Sequence, residues 1–418
     1  MSGRIAIVGT GIAGMTAAYL LSRRHDITVF EANDYIGGHA HTVDVQDPQG
    51  VMGVDTGFIV YNTRTYPGFC RLIDQLGVTT QASDMSFSFR NDASGLEYGV
   101  PELSKLLAQR RNLVRPGFWR MIREVLRFYK EGTQLLEASE ADLDLDLQTY
   151  LKRHGYSKDF QDDHLFPMAE SIWSGSREQM GAFPARAFLR FFQNHGLLSL
   201  KDRPVWRTIS GGSIQYVEKI TAPYQESIRL NSPVTCIRRH ADHVEIKTPR
   251  TQFETFDQVI LACHSDQALA MLEEPTAQER EIVGAFPYAA NDVALHTDTA
   301  IMPRSKAAWA SWNYHRQPDA HEPAALTYDM NRLQNLPASE RYLVTLNRTA
   351  SLDQERILGR YNYAHPQYDL MGMAQQARHD ELNGPNRTFF CGAYWGYGFH
   401  EDGVQSALRV ARHFGEEL

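Results

Sequence analysis

The first thirty-one residues alternate between short strand-like runs and a segment of helical composition. Residues 5–8 are apolar, as in a buried strand, and residues 27–30 form a second strand-like run that ends at Glu31. The intervening residues 12–21 are rich in Ala, Leu and Met, which favour a helix. The pattern therefore predicts a strand, a helix and a second strand in this order.

Later apolar runs predict further strands and helices. The strand-like runs lie at 233–237, 244–247, 256–262, 341–346 and 387–392. Residues 100–200 favour helices, residues 206–216 are rich in turn residues, and residues 403–417 indicate a last helix.

These segments predict an α/β protein in which insertions interrupt a nucleotide-binding domain. We assign residues 1–80, 205–285 and 380–418 to the nucleotide-binding domain. We assign residues 81–204 and 286–379 to a substrate domain.

The turn after the first strand has the glycine spacing of a dinucleotide-binding βαβ unit. Gly9 allows a tight turn, Gly11 lets the backbone approach a diphosphate, and Gly14 lets the helix pack close to the sheet. The helix N-terminus then presents free N–H groups to the phosphates. Glu31 ends the second strand, where its carboxylate accepts hydrogen bonds from a ribose diol and disfavours a 2′-phosphate.

More glycine-bearing segments lie far from this first unit. Gly37 and Gly38 follow Glu31 closely, residues 55–58 contain another glycine, and residues 391–404 contain several. A long ligand that several loops approach closely explains this distribution. FAD fits it better than a nicotinamide dinucleotide does.

Composition restricts the class of protein. The chain has 418 residues, of which 43% are hydrophobic and 22% charged, and its net charge of −8 argues against nucleic-acid binding. No run of eighteen apolar residues is present, which disfavours a spanning helix. Four scattered cysteines without a CxxC pair fit a reducing cytosol, so we expect a cytoplasmic protein. His39 and His41 are too few for a metal site, and we expect no metal.

The N-terminal signature, the Gly37–Gly38 pair, residues 257–262 and the C-terminal glycine segment together resemble the flavin-containing amine oxidase superfamily. This group includes monoamine oxidases, protoporphyrinogen oxidases and carotenoid desaturases. Residues 55–62 and 398–403 are most similar to a bacterial branch of predicted NAD/FAD-binding proteins associated with fatty-acid modification. The resemblance implies a Rossmann-type, glutathione-reductase-like FAD-binding domain with an inserted α+β substrate domain.

The resemblance also implies a set of FAD contacts that are spread over the whole chain. They are Gly9, Gly11, Ile12, Ala13 and Gly14 at the diphosphate, Glu31 and Ala32 at the adenosine ribose, Gly38 and His39 along the phosphates, Gly57 and Phe58 near the isoalloxazine, Val234 at the adenine through its backbone, Gly392 and Ala393 at the ribityl phosphate, and Asp402, Gly403 and Val404 at the start of the last helix beneath the flavin pyrimidine ring.

The chain departs from the superfamily at two of these positions. His39 stands where an arginine is usual, so FAD affinity is expected to be weaker or more dependent on pH. Ala393 stands where an acidic residue is usual. No cysteine occupies the usual flavin-linking context, which implies non-covalent FAD. No counterpart of the amine-oxidase active-site lysine was placed, and this argues against amine oxidation.

Candidate catalytic residues lie in the C-terminal glycine segment. His400 and Glu401 are a candidate proton donor and base, or alternatively members of a hydrogen-bond network that fixes the loop. Tyr394 is a candidate residue of the substrate cavity, with Tyr397 and Phe399 as further aromatic walls, and ordinary packing is the alternative.

Residues 105–130 combine basic and apolar side chains. Eight lysines and arginines stand against the single acidic residue Glu124. A basic amphipathic helix in an acidic protein indicates a peripheral membrane or lipid contact, at the inner membrane surface for a cytoplasmic protein. The alternative is a substrate-domain helix with a solvated basic face.

We therefore expect an FAD-dependent oxidoreductase that acts by hydride transfer to flavin. By resemblance, its substrate is an apolar, unsaturated fatty-acyl chain that is desaturated or isomerised. An amine oxidase that releases peroxide is the first alternative, and a non-catalytic flavin-binding partner protein is the second. The sequence names neither the substrate nor the electron acceptor nor the oligomeric state.

Overall fold

A computed structural model describes residues 3–138, 144–201, 203–316 and 325–418 of the chain. The strands of the described residues are β1 Arg4–Val8, β2 Asp26–Phe30, β3 Thr42–Asp47, β4 Gly50–Asp55, β5 Tyr61–Asn62, β6 Thr80–Ala82, β7 Phe87–Asn91, β8 Leu96–Val100, β9 Trp206–Ile209, β10 Ile228–Arg229, β11 Cys236–Arg239, β12 Val244–Lys247, β13 Glu254–Phe256, β14 Gln258–Leu261, β15 Tyr288–His296, β16 Trp312–His315, β17 Ala325–Asp329, β18 Leu343–Leu346, β19 Ile357–Pro366 and β20 Thr388–Phe390.

The α-helices of the described residues are α1 Ile12–Leu21, α2 Pro67–Gln75, α3 Leu103–Leu106, α4 Pro116–Ala138, α5 Leu147–Arg153, α6 Lys158–Phe160, α7 Phe166–Trp173, α8 Arg177–Ala182, α9 Ala185–Asn194, α10 Ile214–Thr221, α11 Ser265–Met271, α12 Ala277–Val283, α13 Met330–Leu333, α14 Leu370–Gln376, α15 His379–Leu382 and α16 His400–His413. Short 3₁₀ helices include Arg110–Val114 and Ala393–Trp395, and Gln161–Leu165 is a π-helical turn.

A five-stranded parallel sheet in the order β10-β2-β1-β14-β20 lies at one end of the molecule. Alternate residues of its strands face opposite sides because side chains in a strand alternate. Ile5 and Ile7 belong to the cluster formed with α1 and α16, whereas Ala6 and Val8 belong to a cluster that includes strands β11–β13. The predicted order of strand, helix and strand at the N-terminus is confirmed, and so are the predicted strands near residues 236–247, 258–261, 343–346 and 388–390.

A seven-stranded sheet in the order β19-β15-β18-β17-β16-β7-β8 forms the other large layer. All of its pairs are antiparallel except β16 with β7. Its strands come from residues 87–100 and 288–366, and helices α3–α9 fill the sequence between β8 and β9, as the helical pattern of residues 100–200 predicts. The exact domain boundaries given above stay a prediction.

The last helix begins earlier than predicted. We expected it to start at residue 403, but α16 starts at His400. The carboxylate of Asp402 accepts hydrogen bonds from the backbone N–H groups of Phe399 (2.9 Å) and Tyr397 (3.0 Å), which stabilises a helix start one turn upstream. The helix also ends earlier than residue 417, at His413.

Two other expectations about local structure are wrong. Residues 206–209 form β9, which pairs with β5 and β6, instead of a turn. Residues 105–130 do not form one helix, because α4 begins only at Pro116. Proline disfavours a helical conformation at the preceding residue, and Arg115 is indeed extended (φ −92°, ψ 110°).

Among the described residues, no helix combines the length and the apolar composition that crossing a bilayer requires.

Candidate cofactor and active site

The turn between β1 and α1 is as tight as its glycines predict. Gly9 has a positive φ of 106°, and a β-carbon added there would lie 2.7 Å from the carbonyl oxygen of Ala262. A β-carbon on Gly14 would lie 2.0 Å from the carbonyl oxygen of Gly9. Both positions therefore require glycine for close packing of the helix against the turn and the sheet.

Gly11 differs from these two glycines because no heavy atom lies within 4 Å of a β-carbon added to it. Its backbone (φ −62°, ψ 175°) is also open to any residue, so neither strain nor packing requires glycine at this position. Gly38 approaches from the other side, since a β-carbon on Gly38 would lie 3.1 Å from the α-carbon of Gly11. The open space above Gly11, at the N-terminus of α1, is where a diphosphate would bind.

Glu31 directly follows β2 and is buried. Both of its carboxylate oxygens accept hydrogen bonds from nearby donors. One carboxylate oxygen accepts from the backbone N–H (3.0 Å) and hydroxyl (2.5 Å) of Thr10, and the other accepts from the backbone N–H and side-chain amide of Asn33, each at 2.9 Å. A ribose diol would exchange with the hydroxyl or the side-chain amide. Ala32 follows Glu31 at the surface, and Val234 is a buried member of the core cluster that also contains Phe30.

The C-terminal segment lies against the first helix, as the resemblance implies. A β-carbon on Gly403 would lie 2.7 Å from the side chain of Ile12 and 3.6 Å from the backbone nitrogen of Ala13. Gly392 is tied to α16 because its N–H donates to the hydroxyl of Ser406 at 2.9 Å. Residues from the two ends of the chain therefore meet at the N-termini of α1 and α16. Ala393 follows Gly392 at the start of a 3₁₀ turn, and Val404 follows Gly403 and is fully buried.

His39 lies at the centre of a group of aromatic side chains. Its ring centroid is 5.1 Å from that of Tyr363, 5.2 Å from that of His365 and 6.1 Å from that of His264. Burial, together with these neighbouring histidines, lowers the pKa of His39 well below its usual value, and burial lowers the pKa of His365 to about 4. The Nε2 atom of His39 has no hydrogen-bond partner among the residues that the structure describes.

Gly57 and Phe58 adjoin His39 through the backbone. The N–H of Phe58 donates to the carbonyl of His39 at 2.7 Å, and a β-carbon on Gly57 would lie 2.3 Å from that same oxygen. The ring of Phe58 stacks on that of His400 with centroids 3.5 Å apart.

Several of the predicted cofactor residues are only partly buried. Gly11, Gly38, His39, Gly57 and Phe58 keep accessible surface although other parts of the chain enclose them. Together with the unpartnered Nε2 atom of His39 and the open space above Gly11, this arrangement fits a long dinucleotide cofactor that runs from Glu31 to the N-terminus of α16.

The imidazole ring of His400 contacts other side chains across its plane and at its edge. Its Nε2 atom lies 3.0 Å from the hydroxyl of Tyr216, and burial lowers its pKa to about 3. A histidine with this pKa is neutral at physiological pH.

Glu401 connects α16 to the start of α2. Its two oxygens accept from the backbone N–H groups of Gly68 (2.9 Å) and Phe69 (2.8 Å), and the side chain of Gln405 donates to it at 2.6 Å. These donors lie at the positive end of α2, which stabilises the carboxylate. The contacts of His400 and Glu401 are thus those of a loop-fixing network.

Tyr394 is almost completely buried and packs against Phe286 and Trp395. These contacts support ordinary packing of Tyr394, which is the alternative to a role in the substrate cavity. Tyr397 and Phe399 differ, because their rings lie 5.5 Å and 5.2 Å from that of Phe191 on α9. The catalytic roles of Tyr394, His400 and Glu401 stay predictions, and their contacts support structural roles.

Sequence reasoning missed part of this site and one surface cluster. His264 and His365 join His39 only through the fold, and single histidines at the ends of strands gave no signal. His240, His243 and Glu245 bring potential metal-ligand atoms within 4.8 Å of one another on the hairpin between β11 and β12. The spacing His-x-x-His-x-Glu could have indicated this group.

Comparisons with known proteins agree with this geometry. The model of the flavin-containing amine oxidoreductases matches residues 12–413 of the chain. A CLA-producing fatty acid isomerase from P. acnes shares the fold with a TM-score of 0.69 and 18% identity, over 99% of both chains. Wild-type putrescine oxidase with bound putrescine gives a TM-score of 0.71 and 15% identity, again over 99% of both chains.

A curated plant protein is similar over a shorter stretch. Flavin-containing monooxygenase FMO GS-OX-like 7 of Arabidopsis thaliana is 33% identical over 145 residues, which are 33% of this chain and 29% of the plant protein. The chain therefore matches less than a third of that relative's length.

Proposed function

The chain belongs to the flavin-containing amine oxidoreductase family, and we propose that, as an FAD-dependent oxidoreductase, it desaturates or isomerises an apolar fatty-acyl chain. Membership of the family supports non-covalent FAD and redox chemistry. The acyl substrate is the part that we propose.

When bound, FAD supplies the two-electron chemistry. In the proposal, the backbone around Gly11 and the N-terminus of α1 hold its diphosphate, and Glu31 holds the adenosine ribose. The N-terminus of α16 presents its N–H groups to the pyrimidine ring. His39 binds along the phosphates in place of an arginine, through the Nε2 atom that lacks a protein partner.

One observation carries the choice of an apolar substrate. The loop before α16 meets helices α7 and α9 through aromatic side chains: the ring centroid of Phe191 lies 4.7 Å from that of Trp173, 5.5 Å from that of Tyr397 and 5.2 Å from that of Phe399. Such a surface would accommodate an acyl chain beside the flavin. Glu401, the nearest carboxylate in sequence to Phe399, is occupied by backbone donors.

Two polar atoms beside this aromatic surface are available to a substrate head group. The hydroxyl of Tyr368 and the side-chain oxygen of Gln367 are buried and have no hydrogen-bond partner among the described residues. The Tyr368 hydroxyl would be 3.0 Å from a β-carbon on Gly398, which places it next to the C-terminal loop. Burial raises its pKa well above the usual value, so it remains a donor. We propose that Tyr368 donates to the carboxyl group of the acyl substrate.

The fatty acid isomerase that shares this fold supports an acyl substrate, and the putrescine oxidase supports the amine-oxidase alternative. At their levels of identity both show the fold alone. The apolar character of the aromatic surface and the unpartnered hydroxyl of Tyr368 support the first.

The test is anaerobic mixing of the flavin-loaded protein with linoleic, oleic and stearic acids and with putrescine, monitored by flavin absorbance and by chromatography of the lipid. Bleaching, or conversion of a double bond without net bleaching, with an acyl substrate supports the proposal. Bleaching by amines alone, with peroxide released under air, establishes the amine oxidase instead. If no donor reduces the flavin and no lipid product forms, the protein is the non-catalytic flavin-binding alternative.

Tyr368→Phe tests the head-group contact separately. It should raise the KM for the free acid by about tenfold, the effect of one lost hydrogen bond to a charged group, and leave the methyl ester unaffected. Equal effects on acid and ester would assign Tyr368 a packing role only.

A further inference from the structure

Residues 103–130 contain eight basic side chains and one acidic side chain in a chain whose net charge is −8. The structure divides these cations into two sets. Five of them bind acceptors within the protein: Lys105 to Glu102, Arg111 to the carbonyl of Gly95, Arg115 to the carbonyl of Ser94, Arg120 to Asp159 and Arg127 to Glu131.

The remaining three cations, Arg110, Arg123 and Lys130, are exposed. Arg120 and Arg127 interleave with them in sequence but point towards acidic partners. A sequence pattern alone does not make this distinction, because all eight residues lie in the same basic stretch.

Exposed apolar side chains lie beside the three free cations. Val114 is 82% exposed, Leu113 52%, Leu126 47% and Trp119 39%. These values are high for residues of this type, which are usually buried.

The local geometry brings the three cations together with Leu113, Trp119 and Leu126 onto one face, and Val114 adjoins Leu113 at the edge of that face. In the 3₁₀ helix Arg110–Val114, Arg110 and Leu113 are three residues apart and therefore on the same side. On α4, Trp119, Arg123, Leu126 and Lys130 follow at intervals of three or four, which again places them on one side. The indole N–H of Trp119 donates to the carbonyl of Leu113 at 3.0 Å and joins the two parts.

We propose that this basic apolar face (Arg110, Leu113, Val114, Trp119, Arg123, Leu126 and Lys130) docks the protein on an anionic lipid bilayer. The apolar side chains enter the interface between head groups and acyl chains, and the three cations bind lipid phosphates. Trp119 has the amphipathic shape that favours this boundary. A negatively charged protein would otherwise be repelled by such a surface, so the concentration of free cations at exposed apolar residues specifies an anionic bilayer as the partner.

Flotation of the flavin-loaded protein with vesicles tests the proposal without any turnover, so its outcome is independent of the proposed substrate. The wild-type protein should float with vesicles that contain phosphatidylglycerol, remain below vesicles of pure phosphatidylcholine, and be released by high salt, which screens exposed charges. A wild-type protein that floats with neither vesicle at low salt overturns the proposal and leaves a protein as the partner of this face.

Two sets of variants locate the contact. The triple variant Arg110→Glu, Arg123→Glu and Lys130→Glu should lower partitioning by about tenfold or more. A control with the same change in net charge, Arg71→Glu, Lys247→Glu and Arg250→Glu, alters exposed cations elsewhere and should float like the wild type. If both triple variants lose binding equally, net charge alone governs binding and this face has no special role.

The apolar part has its own control. Val114→Asn with Leu126→Asn should weaken flotation, whereas Val51→Asn with Leu358→Asn, at apolar sites that are also exposed (59% and 50%), should not. Retained flavin absorbance and thermal midpoint in all variants establish that they are folded.

Discussion

Phe58 and His400 stack with ring centroids 3.5 Å apart and planes inclined by 11°, although more than three quarters of the chain separates them. Phe58 is bonded through its N–H to the carbonyl of His39, and His400 begins α16. The stack therefore joins the second glycine segment to the last helix at the predicted flavin site.

His400 gives the stability of the protein a dependence on acid. Because burial lowers its pKa from 6.5 to about 3, the folded state stays neutral while the unfolded chain binds a proton between these values. Its contribution to stability is present above pH 6.5 and is lost as the pH falls towards 3. His400→Phe keeps a stacking ring and removes the titration, so urea unfolding midpoints should fall less steeply with acid than in the wild type.

The same variant should cost about 1 kcal/mol at higher pH, because Tyr216 loses its partner. Exposed His240→Gln is the control and should leave the acid slope unchanged. An unchanged slope in His400→Phe would mean that other buried histidines account for the whole acid dependence.

Asp402 should have the opposite dependence on pH. Burial raises its pKa from 3.8 to about 7, so between these values the folded state holds a proton that the unfolded chain has released. Its contribution to stability is complete below pH 3.8 and is lost as the pH rises through 7. The Asp402→Asn side chain stays neutral and still accepts hydrogen bonds from Phe399 and Tyr397. The free energy of unfolding of this variant, relative to that of the wild type, should therefore increase as the pH rises.

The measurement is a pair of denaturation series across this pH range, with the exposed helix cap Asp369→Asn as the control. A gap between Asp402→Asn and the wild type that does not change with pH would contradict the burial of a protonated carboxyl group.

Gly11→Ala and Gly14→Ala should separate cofactor binding from folding. Alanine at position 14 would overlap the carbonyl of Gly9, and we expect a loss of about 3 kcal/mol or more, or no folded protein. Alanine at position 11 meets no atom within 4 Å and adopts an allowed conformation, so the apoprotein should lose no more than about 1 kcal/mol.

Gly11→Ala should nevertheless lower FAD affinity by about tenfold or more, since its methyl group occupies the diphosphate space. Thermal unfolding of the apoprotein and titration with FAD by fluorescence quenching measure the two effects. Normal FAD affinity in Gly11→Ala would mean that the diphosphate does not bind at this turn.

Glu401→Gln distinguishes a structural carboxylate from a catalytic base. Glutamine offers one acceptor oxygen to the two N–H groups of Gly68 and Phe69, so we expect a loss of about 1–3 kcal/mol in stability. The rate of flavin reduction at saturating substrate should change little at a temperature where the variant is folded. A large fall in that rate with unchanged stability would instead assign Glu401 as the base.

The N-terminal unit could be predicted because its signals are local. All of its signals, the apolar runs of β1 and β2 and the glycines between them, lie within about thirty residues. Gly9 and Gly14 make the close contacts that their spacing predicts. The start of α16 was predicted wrongly because it depends on which backbone N–H groups the side chain of Asp402 accepts from. The order of the residues alone allows the helix to begin before or after Asp402.

The rest of the site depends on pairing between distant segments. Strand β16 pairs in parallel with β7 across more than two hundred residues, and such pairings follow from packing rather than from propensity. The same holds for His39, His264 and His365, which come from two connections and from the end of β19 and meet only when both large sheets are assembled.

The position of α16 has a consequence for the cooperativity of the fold. Gly403 lies against Ile12, and β20 pairs with β14, so residues 388–413 complete the unit that contains β1 and α1. Without this segment, α1 would lack its packing partner and the outer edge of β14 would be unpaired. Because the predicted diphosphate site lies at the N-terminus of α1, we expect FAD to bind only after these two distant parts of the chain have come together.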